Sequence, residues 1–97
     1  MSSHRLAPEA ADDLENIWLE LEQLSPATAR RTIRAILSKL DLLSGMPNAG
    51  HRRSEVPDDM RTLHVRGWII LYRVLGDQAF VVRIVSARSD LRALHFD

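Results

Sequence analysis

Two consecutive strands, apolar in both directions, constrain this chain more than any other feature. Residues 68–75, WIILYRVL, and 78–86, QAFVVRIVS, are rich in β-branched and aromatic residues and flank Gly76-Asp77, a two-residue turn signal. A hairpin closed there sets Leu75 against Gln78, Arg73 against Phe80, Tyr72 against Val81, Leu71 against Val82, Ile70 against Arg83 and Ile69 against Ile84. Directly opposed residues share a face. One face then holds Trp68, Ile70, Tyr72, Val74, Val81, Arg83 and Val85; the other holds Ile69, Leu71, Arg73, Leu75, Phe80, Val82 and Ile84. A sheet with one wet face would alternate apolar with polar, so this hairpin demands cover on both sides.

The rest of the chain offers cover for one side. In residues 8–24, Ala10, Leu14, Ile17, Trp18, Leu21 and Leu24 recur at the three- and four-residue spacing of an amphipathic helix that opens on Pro8, although Ala7 before it is a poor N-cap. Ser25-Pro26 reads as an N-cap and first helical residue. Ala29, Ile33, Ile36, Leu37, Leu40 and Leu43 then repeat the stripe until Gly45, an αL-capable stop, and Pro47. Two helices so closely joined form an antiparallel hairpin. Residues 45–59, with two Gly and two Pro, make a long loop of the kind that often binds something. MRTLHVR (60–66) adds a further strand, and Ser3–Ala7 gives a slight signal for another.

One helical hairpin covers one face, so Leu71, Phe80, Val82 and Ile84 are expected to meet a partner chain or a second copy. The alternative is that the long loop and C-terminal tail fold back over them. Each strand also carries an arginine, and burying a guanidinium requires a carboxylate. Arg83 is expected to pair with Asp13, Glu15 or Asp90. Arg73 is expected either to anchor a partner's carboxylate or phosphate or to snorkel to the sheet edge.

At 97 residues the chain is read as a single domain, 1–97. Its 45% hydrophobic and 27% charged residues exclude disorder and coiled coil. Thirteen Lys+Arg against thirteen Asp+Glu give no global attraction for nucleic acid or an acidic membrane. No cysteine is present, which excludes thiol chemistry and fits a reducing cytoplasm. Residues 1–10 lack an apolar signal core, and no apolar run approaches the ~18 residues of a membrane span.

Charge separates the two helices. The first holds Glu9, Asp12, Asp13, Glu15, Glu20 and Glu22 with no base, and the second holds Arg30, Arg31, Arg34 and Lys39 against Asp41 alone. The plain reading is solvated faces with weak cross-helix pairs worth about 0–1 kcal/mol each; a partner-docking face is the other. His4, His51, His64 and His95 have no metal-ligand spacing, and neither a nucleophile elbow nor a phosphate-binding glycine loop occurs. A metal-independent ribonuclease built from Arg61, His64, Arg73, Arg88, Arg92 and His95 stays possible in principle.

A short strand, the acidic helix PEAADDLENIW, a basic second helix, Arg61, GWIILYRV with Tyr72-Arg73, and ARSDL (87–91) resemble, in this order, the RelE/ParE superfamily of toxins from type II toxin–antitoxin systems, and within it the ParE branch. The resemblance implies an α+β fold, βααβββ, with the helical hairpin on one face of a small twisted antiparallel sheet. RelE-like members cleave ribosome-bound mRNA and carry an arginine in the strand motif G-[YF]-R-[LI]-[VL]-Y, where this chain has Ile69. ParE-like members inhibit DNA gyrase without catalysis. The resemblance therefore implies a cytoplasmic gyrase inhibitor with no cofactor, metal or membrane partner. It would form a hetero-oligomer with a ParD-like ribbon-helix-helix antitoxin and meet DNA only through it. A RelE-like endoribonuclease and a detoxified binding module are the alternatives. Antitoxin contacts are expected at Arg61, Leu71, Arg73, Phe80, Val82, Ile84 and Arg88. Exposure and charge alone suggest target contacts at His51, Arg52, Arg53, Arg88, Arg92 and His95.

Overall fold

The computed structural model describes residues 4–96. In chain order it contains β1 (His4–Leu6), α1 (Pro8–Leu24), α2 (Pro26–Gly45), β2 (Met60–Val65), β3 (Trp68–Leu75), β4 (Gln78–Ser86) and a final 3-10 turn (Leu91–Ala93). The strands form one sheet in the order β1-β4-β3-β2. β2, β3 and β4 make the expected antiparallel meander, while β1 lies parallel to β4, so the sheet is mixed. Ser3, the first residue of the expected N-terminal strand, lies outside the described residues.

The helices form as the sequence implies. Pro8 opens α1 from an Ala7 that supplies no side-chain cap, and the Ser25 Oγ accepts a hydrogen bond from the Thr28 N–H to start α2. Gly45 is the last helical residue rather than a left-handed cap, and the Met46 N–H closes the helix on the Leu42 carbonyl. Ala10 and Ile17 from α1 and Ile36, Leu40 and Leu43 from α2 pack with Ile70, Tyr72, Ala79, Val81 and Ile84 into one core. Leu24 and Leu37, both in the expected stripes, remain exposed.

The hairpin register holds from the turn only as far as Tyr72 opposite Val81. Gly76 takes φ of +64° there, as a two-residue turn with Gly first requires. Beyond that pair Leu71 opposes Arg83, Ile70 opposes Ile84 and Ile69 opposes Val85, so Val82 is an extra residue, a β-bulge. The slip moves Ile84 to the helix-covered face and Val85 to the opposite one, reversing the expected assignment of both. The bulge lies at the sheet edge where partners change. Among the described residues β1 pairs with Ala79 to Val81 of β4, and past Val81 Asp13 of α1 takes over the edge. Its carboxylate accepts from the Ile84 N–H at 2.9 Å and from Arg83 Nε and Nη2 at 2.7 and 3.0 Å.

The second face is not left open. Ile69, Leu71, Val82 and Val85 lie beneath Val56 and Met60, from the loop and its entry into β2, and beneath Leu91, with Phe80, Leu94 and Phe96 at the margin. Of the two expectations for this face, the structure shows the alternative to an open face, with loop and tail folded back over it. The chain's own loop and tail cover Leu71 and Val82, the helices cover Ile84, and Phe80 alone of the four stays half-exposed.

Candidate functional site

Three strand arginines tie the sheet to neighbouring segments, two through carboxylates and one through backbone carbonyls. Arg83 forms the forked pair with Asp13 expected of it; this neighbour holds its guanidinium pKa above the ordinary value despite partial burial. Arg73 binds Asp59 at 2.8 Å, so the free guanidinium expected on that side is instead committed within the chain. Asp59 sits directly before β2, whose first residue Met60 pairs with Arg73. The antiparallel register between 60 and 73 was the signal that could have found this pair.

Arg61 pairs with no carboxylate among the described residues. Its Nη1 donates to the Gly50 carbonyl at 3.0 Å and, at the long limit of 3.5 Å, to that of Asn48. His51 exchanges backbone hydrogen bonds with Thr62, which brings the loop alongside β2. Beneath it the Gly50 N–H donates to the Tyr72 hydroxyl at 2.8 Å. A Cβ at position 50 would stand 2.6 Å from that oxygen, so the loop requires glycine there to pass so close. Burial pushes the Tyr72 phenol pKa up, opposed by the Gly50 N–H and the nearby Arg61 charge.

Two clefts flank this scaffold. Asn48, Arg52, Asp58, Asp59, Arg61 and Val74 line one, of about 190 Å³, beside β2. Glu9, Val82, Arg83, His95 and Phe96 line the other, of about 180 Å³, where the tail meets the start of α1. The residues proposed from sequence for target contact are divided between these regions. His51 and Arg52 are exposed on the loop. Arg53 is paired with Glu55, whose carboxyl is held below the ordinary range first by the Ser54 hydroxyl. Arg88, Arg92 and His95 are exposed along the tail. The convergence of Arg61, Arg73 and His95 on one phosphate is not what the structure builds: Arg61 belongs to the loop-side cleft, Arg73 is bound to Asp59 and His95 lines the tail-side cleft. Among the described residues, no group of three or more His, Asp or Glu side chains could hold a metal ion, and no helix is long and apolar enough to cross a membrane.

The sequence reasoning missed the residues that close the second face, Val56, Leu91, Leu94 and Phe96. They stand in segments without periodicity, and only the apolar strands beneath them indicated that some cover was needed.

A family model described as the ParE toxin of the type II toxin–antitoxin system parDE matches residues 5–91. The chain belongs to the ParE toxin family. Toxin ParE3 of Caulobacter vibrioides is 30% identical over 82 residues, 84% of this chain and 82% of that relative. Toxin RelE3 of the same organism is 34% identical over 88 residues, 87% of this chain and 92% of the relative. Among solved structures, the chromosomal ParDE system from P. aeruginosa superposes with a TM-score of 0.75 at 30% identity, covering 89% of this chain and 96% of the other. This ParE-family toxin of a type II system thus has the helical hairpin and open sheet that its sequence motifs implied.

Proposed function

We propose that this toxin acts in the cytoplasm by binding DNA gyrase, without catalysis of its own, and that a ParD-like antitoxin holds it inactive. The observation that carries this reading is Ile69. It occupies the strand position where the RelE-like motif has arginine, it is 1% exposed, and Val56, Met60 and Leu91 pack over the same face. An isoleucine sealed beneath apolar cover can neither hold a scissile phosphate nor stabilise its developing charge. Arg73 of β3 and Arg83 of β4 are each bound to a carboxylate of the chain itself.

The similarity to Toxin RelE3 favours a second reading, a ribosome-dependent mRNA endoribonuclease. Purified toxin added to a gyrase supercoiling assay and, separately, to translating ribosomes distinguishes the two. Lost supercoiling or trapped DNA-cleavage complexes with intact mRNA is the expected result; cleaved mRNA with unimpaired gyrase would overturn the proposal. Of the sites proposed for the antitoxin, Arg88 is exposed, Arg61, Arg73 and Phe80 are half-buried, and Leu71, Val82 and Ile84 are sealed. In a folded toxin, Arg88→Glu and Phe80→Asp are expected to weaken antitoxin binding, which a titration against the wild type would measure.

A further inference from the structure

The outer faces of α1 and α2 carry charge that nothing within the chain answers. Asp12, Glu15 and Glu22 are exposed on α1 at the three- and four-residue spacing of one stripe, with Leu19, 49% exposed, among them. Arg31 and Arg34 are exposed on the neighbouring α2. Ion pairs across the hairpin, the plain expectation for such a sequence, are not formed: the pairs among the described residues are Arg53–Glu55, Arg73–Asp59 and Arg83–Asp13. Each stripe also sets like charges one helical turn apart, Asp12 with Glu15 and Arg31 with Arg34, which weakens an isolated helix unless opposite charge stands over it.

We infer that this face docks a second copy of the same chain. The helices meet at Ser25 and run back antiparallel, so residues equidistant from it lie level: Glu15 lies beside Arg34 and Leu19 beside Arg31, with Glu22 three residues, about 4.5 Å, nearer the turn than Arg31. A two-fold axis parallel to the helices sets α1 of one copy over α2 of the other at that same level. Both stripes are then answered twice, with Leu19 enclosed among them. A nucleic acid or an acidic peptide would answer only the arginines and would be repelled by the adjacent carboxylates. The area sets the strength. Helices of 17 and 20 residues, each about 10 Å wide and up to about 30 Å long, present about 600 Å² per copy, so the pair buries about 1,200 Å², the lower bound of specific interfaces. The result is a reversible, salt-sensitive dimer. This inference does not depend on the gyrase reading.

Sedimentation equilibrium of the purified full-length toxin tests it. A monomer–dimer equilibrium is expected, weakening about tenfold between about 0.05 M and 1 M salt as charge screening shortens to about 3 Å. Arg31→Glu with Arg34→Glu gives one variant and Glu15→Arg with Glu22→Arg another. Each should be folded by circular dichroism and monomeric, and mixing the two should restore a dimer. A wild type monomeric throughout, a dimer indifferent to salt and to both variants, or a mixture that stays monomeric would each overturn the inference. So would a wild-type monomer whose binding to duplex DNA or to the antitoxin is what the arginine variant loses.

Discussion

The helix-covered face of the sheet is closed by two long regular elements, each turning an apolar stripe onto Ile70, Tyr72 and Val81. The opposite face is closed by a loop and a tail with no repeat, through Val56, Leu91, Leu94 and Phe96. Both faces reach nearly complete exclusion of water at their centres; Ile70 and Leu71, adjacent in β3, are each 0% exposed. What differs is what must break to reopen them. α1 and α2 leave only with their whole hydrogen-bond ladders, whereas the tail is held by a few side chains and a single 3-10 turn. The helix side is therefore expected to open only with global unfolding, and the tail side to open locally.

The largest test of that contrast is Ile70→Ala. Removing its side chain leaves a cavity between the sheet and both helices, and chemical denaturation should show a loss of about 3–4 kcal/mol in one cooperative transition. A loss below about 1 kcal/mol would mean that the helices can settle into the gap, and the distinction between the faces would fail.

Asp13→Ala should follow, at about 2 kcal/mol. It removes the forked partner of Arg83 and the acceptor for the Ile84 N–H together, both part-buried at the edge that β1 leaves uncovered. The loss should be read by denaturation, with the β4 edge amides gaining hydrogen exchange first. Asp13 also shows how far the sequence could be read. Its pairing with Arg83 followed from the cost of an unpaired guanidinium in an apolar strand. The bulge beside it did not, because an extra residue leaves no mark in an alternation whose two faces are equally apolar. Ile84 and Val85 were interchangeable on paper for that reason. The helices were legible because each has one apolar face and one polar face.

Tyr72 joins the two sides of the comparison, since its ring lies in the helix-side core while its hydroxyl accepts the Gly50 N–H from the loop. Tyr72→Phe leaves that buried N–H without an acceptor, for about 1–2 kcal/mol. pH gives a sharper reading. With its pKa raised in the fold above the ordinary 10.0, the phenol favours the native state fully below that value; stability falls as pH rises from there towards the folded pKa, because the unfolded chain ionises first. Unfolding midpoints measured from pH 9 upward should decline more steeply in the wild type than in Tyr72→Phe. Equal slopes would remove Tyr72 as the cause.

Leu91→Ala is expected to have the smallest effect on the global denaturation transition, less than about 0.5 kcal/mol, because a locally held tail is already open before the rest of the molecule unfolds. Its effect on opening is separate. If the tail is a local unit, a loss of about 1 kcal/mol raises the open population about fivefold, and trypsin should cut the exposed Arg88 and Arg92 bonds faster by that factor while the denaturation midpoint scarcely moves. The same opening would uncover Leu71 and Val82, so Leu91→Ala should also bind an apolar dye that Ile70→Ala binds only near its melting transition. Faster cutting accompanied by an equal global loss would mean that the tail opens only with the rest of the molecule. The second face would then be as firmly closed as the first.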